Sequence, residues 1–565
     1  MFFLLSLLWF IRETKAILFW LYLWQLKEYH IGRFLDHFRT EKGKQLLLNK
    51  LLGLKIILVL VLLYGFFLFM PRASGEFPLT EPANILFSFF LFFGSIPILV
   101  LIIYTLESAR AFQDFLQKKL KKPILTKKTA LLILVIITLT ILFLGKIIFE
   151  IGLLGEIYFV KTDLKGDIIW VTFYLLLFDI FTPLIVSGIV LLFQPLAVLG
   201  RNRIIKKAKR KRAEFKDLIV IGITGSYGKT STKEFLATIL SEKFNVLKTK
   251  EHQNSEVGIS QCILDDLKPE HEIFVVEMGA YNRGGIKLLS DICKPKIGVL
   301  TGINEQHMAT FGSEENIIKG KYELIESLPD DGLAIFNGNN PYCFQLYQKT
   351  IYPKKVYSLK PSIYGFPVDI WTDKIKIEKD FISFRAMMKN DQTDFKINLL
   401  GTQNILNILA ASLVAKEFGL TLNEISRISQ KIKPEQGGIL LKKGINNLNI
   451  IDATYSANPD GVISHLEYLK IWPGKKVIVM PCLIELGKAS KEVHQRIGRK
   501  MAEVCDFAII TTKERFKEIK EGAPNTLFIE NPKEIFKKIK EFCQPGDVVL
   551  LESRVPNQLI KQLGI

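Results

Sequence analysis

The chain has 565 residues, 49% of them hydrophobic, a mean hydropathy of +0.23, and 75 basic against 56 acidic side chains for a formal charge of +19. That length exceeds a single ordinary domain of ~150 residues, and apolar runs crowd the N-terminal third; a small stapled scaffold, a disordered chain and a fully soluble protein are all excluded. Six cysteines (Cys262, Cys293, Cys343, Cys482, Cys505 and Cys543) lie beyond those runs with no CxxC spacing, which indicates neither a zinc site nor a disulfide framework and fits a reducing compartment.

Four runs, 53–71, 83–106, 129–154 and 168–199, are apolar and long enough to cross a ~30 Å hydrocarbon layer, and each predicts a spanning helix. A fifth, 2–24, is broken by Arg12, Glu13 and Lys15; charges at a bilayer centre cost at least ~2.5 kcal/mol each, so this run fits an interfacial helix as well as a span. It has neither the basic start nor the small-residue cleavage site of a secretion signal. The loop 107–128 carries Arg110, Lys118, Lys119, Lys121, Lys122, Lys127 and Lys128, whereas 72–82 carries only Arg72, which puts the former in the cytoplasm. Residues 201–216 hold nine basic side chains and one acid, Glu214. Abutting an apolar span, with no interleaved aromatic beyond Phe215, they read as a basic cytoplasmic linker facing anionic lipid rather than a nucleic-acid patch. The expectation is a multi-pass inner-membrane region, 1–200, with everything beyond 216 in the cytoplasm.

From Asp217 short β-branched runs alternate with amphipathic stretches, the pattern of a parallel α/β sheet. A strand over Leu218–Ile223 leads into Thr224-Gly225-Ser226-Tyr227-Gly228-Lys229-Thr230 and a helix from about Ser231 to Glu242. Such a loop turns consecutive N–H groups toward a phosphate; Lys229 adds a point charge and the Thr230 hydroxyl suits Mg²⁺. The spacing departs from the general phosphate-loop pattern, since the leading glycine is Gly222 where the pattern wants position 223. A second strand, Ile273–Val276, ends in Glu277, at the strand end where open α/β sheets bind ligands, making it a candidate Mg²⁺ ligand. A third, Ile297–Thr301, runs toward His307, which taken alone is a satisfied structural histidine as readily as a ligand.

These residues resemble the Mur ligase family, nearest to the MurF type that joins D-alanyl-D-alanine to a UDP-N-acetylmuramoyl tripeptide. The resemblance rests on six ordered blocks across 217–565: GITGSYGKTSTKE at 222–234, VVEMGAYNRGGI at 275–286, INEQHMATFGSEENIIKGKYELI at 303–325, GTQNILNILAA at 401–411, IDATYSANPDG at 451–461 and IELGKASKEVHQRIG at 484–498. It implies that Gly225, Ser226, Gly228, Lys229, Thr230 and Ser231 cradle the phosphates of ATP. It implies that Thr230, Glu277 and His307 bind Mg²⁺, joined by Lys321 as a carbamate, a hard oxygen ligand formed from a neutral amine and CO₂. Lys319 stands two residues away as an alternative. Asn254 and Ser255 would face the substrate, with a turn-forming Asn as the alternative. Asn404, which with Asn407 opens a helix over 404–418, would face the nucleotide or cap that helix.

From Pro434 a second α/β domain, Rossmann-like, is predicted with strands Asn449–Asp452, Lys476–Met480, Phe507–Thr511 and Val548–Glu552. Its loop 452–460 would bring Asp452, Tyr455 and Asn458 to the nucleotide from the closing side. The fold class expected is therefore an α-helical membrane domain (1–200) and a linker (201–216), followed by a phosphate-loop central domain (217–433) and a Rossmann-like C-terminal domain (434–565). The activity implied is ATP-dependent amide-bond formation through an acyl phosphate, with a muropeptide or other carboxylate acceptor and an amino acid or dipeptide donor.

Three departures stand out. The family's soluble UDP-binding domain has no counterpart ahead of the phosphate loop, so a lipid-linked or polymeric acceptor is an alternative. The family's linker arginine falls on Gly437-Gly438, and Met480-Pro481-Cys482-Leu483 replaces a Gly-Asp-Met run. The last two also suit a degenerate, nucleotide-sensing scaffold.

Overall fold

The apolar runs at the start of the chain fold as helices, which satisfy their backbone amides within the segment itself. The computed structural model describes residues 1–565 apart from 28, 30, 39–40, 48, 70–82, 158–163, 252 and 456–457. Residues 70 and 71 of the 53–71 run, the loop with Arg72, and Ser456 and Ala457 of the 452–460 loop therefore lie outside the described residues. The chain divides into two compact units, 1–199 and 200–565.

The first unit contains the helices α1 (Phe2–Leu26), α2 (Ile31–His37), α3 (Glu41–Leu47), α4 (Lys50–Phe69), α5 (Ala83–Leu116), α6 (Lys127–Ile157) and α7 (Leu164–Leu192). Four stretches among the described residues, Gly43–Tyr64, Gly94–Leu116, Lys127–Ile147 and Ile168–Glu214, are long and apolar enough to cross a membrane. They overlap the four runs read from the sequence. The fifth run behaves differently from a surface helix. α1 packs against α5, α6 and α7 with Leu5, Trp9, Ile17 and Leu21 fully buried, and the Trp9 indole donates to the Leu175 carbonyl at 3.1 Å. Its charges are tolerated there because neighbouring helices supply counter-charges.

A further helix, α8 (Gln194–Glu214), takes up most of the segment expected to be a linker. Its C-terminal turns are built into the second unit. The Arg212 guanidinium donates to the carbonyls of Cys293, Phe215 and Leu218, Lys211 donates to the Leu264 carbonyl, and Ile205 and Ala208 are buried. Helical, long-stemmed Lys and Arg residues cover apolar surface while their heads bond to carbonyls. Arg203, Lys206, Lys207 and Arg210 remain exposed.

The second unit opens on a six-stranded parallel sheet built from β1 (Ile219–Thr224), β2 (Val246–Lys248), β3 (Ile273–Glu277), β4 (Ile297–Leu300), β5 (Leu333–Asn337) and β6 (Lys354–Tyr357), in the order β2-β3-β1-β4-β5-β6. The ends of the three central strands β1, β3 and β4 lie within a residue of those read from the sequence, whereas β2, β5 and β6 do not stand out in it. Strands buried on both faces read as continuous Val/Ile runs, which made them legible. The helix α9 (Lys229–Leu240) starts two residues earlier than expected, because Gly228 takes a left-handed conformation (φ +76°) as its N-cap. Against α9 packs the helix Gln403–Glu417, whose Ile405, Ile408, Leu409, Leu413 and Val414 are fully buried, each contributing ~1.5–3 kcal/mol of burial free energy.

An antiparallel sheet of Trp371–Ile377, Ile382–Met388 and Asp391–Ile397 completes that core through Ile382, Phe384, Ala386, Phe395 and Ile397. The last part of the chain forms a second six-stranded sheet in the order Leu440–Lys443, Asn449–Ala453, Val548–Glu552, Lys476–Met480, Phe507–Ile510, Thr526–Phe528. All its pairs are parallel except the first.

Candidate active site

β1 delivers the chain to a turn in which two glycines do what other residues could not. Gly225 has φ +155°, and a Cβ on it would stand 2.1 Å from the Thr301 hydroxyl oxygen; one on Gly228 would stand 2.7 Å from the Asn407 Oδ1. The turn is pinned from outside: the Ser226 N–H donates to the Gly302 carbonyl at 2.7 Å, and the Asn304 N–H donates to the Ser226 Oγ at 3.2 Å. Gly222 lies within the strand, where a Cβ would come within 2.8 Å of Leu324, so its smallness serves helix packing and not the turn. This accounts for the shifted glycine in the motif. The backbone N–H groups of the turn and of the first turn of α9, where Thr230 and Ser231 sit, form a positive concavity suited to phosphate oxygens. Lys229 donates to the Gly225 carbonyl at 2.7 Å; burial lowers its pKa, with Glu277 opposing.

Glu277, at the end of β3, is 5% exposed, and both of its oxygens are engaged. Oε2 accepts from the Thr230 hydroxyl at 3.0 Å, Oε1 accepts from the Asn254 amide at 3.0 Å, and the fully buried Lys233 ammonium lies 3.6 Å away. Its own N–H donates to the Thr249 hydroxyl at 3.1 Å. A carboxylate held this way presents a fixed negative charge directly beside the anion-binding turn.

His307 sits in the left-handed region (φ 65°) after β4, edge-on to Tyr281, with Nδ1 2.7 Å from a Glu485 carboxylate oxygen. Burial outweighs Glu485 and holds its pKa below the usual imidazole value, so the ring is neutral at pH 7. With Nδ1–H directed at a carboxylate, Nε2 carries the lone pair a metal needs, the carboxylate–histidine arrangement common at metal sites. The two lysines of the Lys319-Gly320-Lys321 segment separate by burial. Lys319 pairs on the surface with Glu315 at 2.6 Å, whereas Lys321 is 2% exposed, its ammonium 5.7 Å from the Phe311 ring centroid. Burial brings the Lys321 pKa down to about 7, the Lys229 charge adding to the shift and Glu323 opposing it.

The remaining candidates fall into two groups. Asp452 is half-buried; burial raises its pKa, but Lys442 at 2.7 Å and Thr454 hold it below the usual carboxylate value. Tyr455 is 48% exposed, and burial of its other half together with the Glu251 and Glu277 charges raises its phenol to about 12. Asp452 and Tyr455 thus stand at the ligand-facing edge of the second sheet, Tyr455 within electrostatic reach of Glu277. The others have local work. Ser255 caps the helix Glu256–Asp266, Asn458 caps Pro459–Leu469, and Asn404 is completely buried, its amide donating to the carbonyls of Leu400 and Gly437. Asn404 is thus inside the helix Gln403–Glu417 and not its cap, and it is Asn407 that borders Gly228.

Residues with no assigned role in the sequence join the two lobes of this unit. Asn304 donates to Asp460 at 2.8 Å, Arg496 pairs with Glu305 at 3.2 Å, and Glu485 holds both the His307 ring and, through its carbonyl, the Ala309 N–H at 3.0 Å. His494 supports that last loop by accepting from the Leu483 N–H at 3.0 Å, and Cys482 is held by Thr512, so the 480–486 run acts as a positioned turn. Glu485 and His494 both lie in the 484–498 block, where only the block as a whole gave a signal. Among the described residues no three His, Cys, Asp or Glu side chains converge to hold a metal unaided. The donor set of Thr230, Glu277 and His307 fits Mg²⁺ when phosphate oxygens supply the rest of its shell.

The comparisons agree with this geometry. A model of the Mur ligase middle domain matches residues 223–415, and one of the Mur ligase glutamate ligase domain matches 440–554. The chain is 30% identical over 341 residues to the UDP-N-acetylmuramoyl-tripeptide–D-alanyl-D-alanine ligase of Synechocystis sp., covering 59% of this chain and 71% of that one. It is 30% identical over 279 residues to the Escherichia coli enzyme of the same name, covering 49% and 61%. Among solved structures, MurF of Acinetobacter baumannii superposes with a TM-score of 0.59 at 25% identity, covering 64% of this chain and 80% of that one. MurF of Thermotoga maritima in complex with ADP gives 0.58 at 26%, covering 64% and 84%.

Proposed function

The chain belongs to the Mur ligase family, and from that premise we propose that it is an ATP-dependent ligase of peptidoglycan precursor synthesis, joining D-alanyl-D-alanine to a UDP-N-acetylmuramoyl tripeptide. The observation that carries the reading is the convergence of the Gly225–Thr230 turn, Lys229, Glu277 and His307 at one edge of a parallel sheet, faced by Asp452 and Tyr455 from the second lobe.

The reaction divides into two steps. A carboxylate of the acceptor attacks the γ-phosphorus of ATP, releasing ADP and forming an acyl phosphate; the donor amine then attacks the carbonyl carbon, and inorganic phosphate leaves as the amide forms. Lys229 and the N–H groups of the turn and of α9 offset the charge that spreads over the phosphoryl oxygens. Mg²⁺, when bound, supplies a hard cation to the same oxygens. Thr230, Glu277, His307 and a carbamylated Lys321 would hold it. Asp452 and Tyr455 are assigned to the nucleotide side and Asn254 to the substrate side, while Asn404, Asn458 and Ser255 hold the chain around them through the buried carbonyls and helix starts they bond. Apposition of the lobes keeps water from the acyl phosphate.

Glu485 is assigned to orient His307. Its replacement by Ala is expected to raise the Mg²⁺ concentration for half-maximal turnover by ~10–100-fold, the usual scale for an outer-shell partner. An unchanged Mg²⁺ titration would remove His307 from the metal site.

The helical unit is assigned to the inner membrane, spanning it several times, with the 107–128 loop and the ligase lobes in the cytoplasm. The exposed face of α8, Arg203, Lys206, Lys207 and Arg210, is suited to anionic lipid headgroups. The detergent-solubilised chain, given ATP, Mg²⁺ and D-alanyl-D-alanine, is expected to release ADP only when the UDP-linked tripeptide is added. Release with a lipid-linked tripeptide alone would replace the acceptor in this reading, and release with neither would end it.

A further inference from the structure

The second unit carries an exposed apolar and basic surface, none of whose residues belongs to the ligation site. The stretch 332–368 contains no acidic residue and holds Lys349, Lys354, Lys355 and Lys360. Lys354 and Lys355 lie on β6, the last strand of its sheet, where lysine discourages further pairing; Lys354 donates to the Tyr347 and Thr350 carbonyls, and Lys355 pairs with Glu417. Lys349 and Lys360 lie on either side of that strand in the chain and are exposed. The same stretch leaves apolar side chains in water: Ile351 is 93% exposed, Tyr364 81% and Phe366 47%.

Tyr364 is held out by the backbone itself. Strands Ser362–Ile363 and Phe366–Pro367 form a hairpin whose two turn residues, Tyr364 and Gly365, both have positive φ, 50° and 82°. Asn, Asp or Gly suits the first position of such a turn, and a tyrosine there is strained. Folding alone therefore gives no reason for an aromatic tip. The hairpin rests on the helix Pro341–Lys349, whose Phe344 ring centroid lies 5.8 Å from those of Tyr364 and Phe366. Phe344 and Val368 share one buried core with Ile205 and Ala208 of α8, on one face of the parallel sheet. The hairpin thus stands on the same sheet face as α8, whose exposed basic side chains are suited to anionic headgroups.

The combination specifies the partner. Exposed Ile and Tyr side chains gain free energy on leaving water for the headgroup–acyl boundary of a bilayer, and flanking ammonium groups meet its phosphates. A nucleic-acid surface would offer rings for base stacking, and Ile351, the most exposed of the three, has none. We propose that Ile351, Tyr364 and Phe366 dip into an anionic bilayer with Lys349 and Lys360 on its headgroups, which holds this unit against the membrane; the proposal rests on reading the helical unit as membrane-spanning.

The test uses the full chain in nanodiscs, with a fluorophore on Ser362→Cys, beside the turn, or on Lys533→Cys, an exposed position of the second lobe, each read against the labelled parent chain to subtract the native cysteines. In discs of phosphatidylcholine with phosphatidylglycerol, lipids carrying a nitroxide on the acyl chain are expected to quench the label at Ser362→Cys and not at Lys533→Cys. Adding Lys349→Gln and Lys360→Gln is expected to lower the docked-to-undocked ratio about thirtyfold, as is, in direction, omission of phosphatidylglycerol. Adding Ile351→Ser and Tyr364→Ser is expected to abolish quenching; Ile351→Ser alone takes their place if the pair does not melt as the parent does. Equal quenching at the two labelled positions, or quenching undiminished in the folded variants, overturns the proposal. A label at Ser362→Cys that responds to single-stranded DNA and not to the bilayer overturns it in favour of nucleic acid. A chain that no nanodisc takes up ends the membrane-spanning assignment and this proposal together, whereas a chain taken up with Ser362→Cys unquenched ends this proposal alone.

Discussion

Replacing Lys229 by Met is expected to lower ligation turnover by about 10²–10³-fold or more, roughly 3–4 kcal/mol of transition-state stabilisation, while leaving the melting temperature nearly unchanged. Both halves of that expectation follow from its surroundings. Among the described residues the ammonium makes one hydrogen bond, to the Gly225 carbonyl, worth ~0.5–1.5 kcal/mol net. Against that loss stands relief from holding a charge that burial already disfavours. In the presence of a triphosphate the same ammonium has a phosphoryl group to neutralise, and no other lysine sits on the turn. Turnover at saturating ATP, read beside a thermal melt, checks the pair. Retained turnover in a folded Lys229→Met chain would show that phosphoryl transfer does not occur at this turn.

Lys321 carries the second large effect. Its ammonium is buried, and burial holds its folded pKa at about 7, far below the ordinary lysine value of 10.5. The folded chain thus binds fewer protons than the unfolded one across the interval from about pH 7 to about pH 10, and this side chain makes stability rise with pH through that window. The penalty at neutral pH is of the order of 4 kcal/mol. Lys321→Met removes the buried charge and keeps the stem, so the variant should melt higher than the parent at pH 7 and lose the rise toward pH 10. It should also lose ligation by several orders of magnitude if the lysine serves as a carbamate. The same low pKa leaves a large fraction of neutral amine at pH 7, the form that takes up CO₂ with release of a proton. Isotopically labelled bicarbonate should give a carbamate carbon resonance in the parent chain and none in Lys321→Met. Parent and variant with identical spectra and equal turnover would return Lys321 to a purely structural role. Because Lys229 also depresses this pKa, Lys229→Met should shift the Lys321 titration upward.

What was legible in the sequence was whatever is encoded locally. The central strands β1, β3 and β4 are buried on both faces and read as Val/Ile-rich runs, while β2 and β6 carry part-exposed lysines and do not stand out; the turn at 224–230 declares itself through glycines whose φ is above zero. The antiparallel strands Trp371–Ile377, Ile382–Met388 and Asp391–Ile397 escaped notice. They bury one face only, and alternation through Lys374, Lys376, Arg385 and Lys396 resembles a solvated loop until the apolar partners are in place. The charges of α1 left its placement open for a related reason: Arg12 and Glu13 count equally for an interface and a span as long as Lys55, Glu107 and Asp179, far away in the chain, are not known to meet them. The same distance hid Glu485. Its carboxylate orients His307 across the junction of the two lobes, and nothing about one glutamate in a loop announces that. Burial separated Lys321 from Lys319, a distinction that depends on which face of the helix Glu314–Glu326 turns inward.

The central claim is that the two lobes activate a carboxylate by phosphoryl transfer before an amine reacts with it. Acceptor tripeptide labelled with heavy oxygen in its reacting carboxylate tests this directly, by mass spectrometry of the phosphate released on D-alanyl-D-alanine addition. The account predicts one labelled oxygen in each phosphate, carried over when the acyl phosphate collapses to the amide. Phosphate free of label, from a reaction that nonetheless yields the amide, would contradict it.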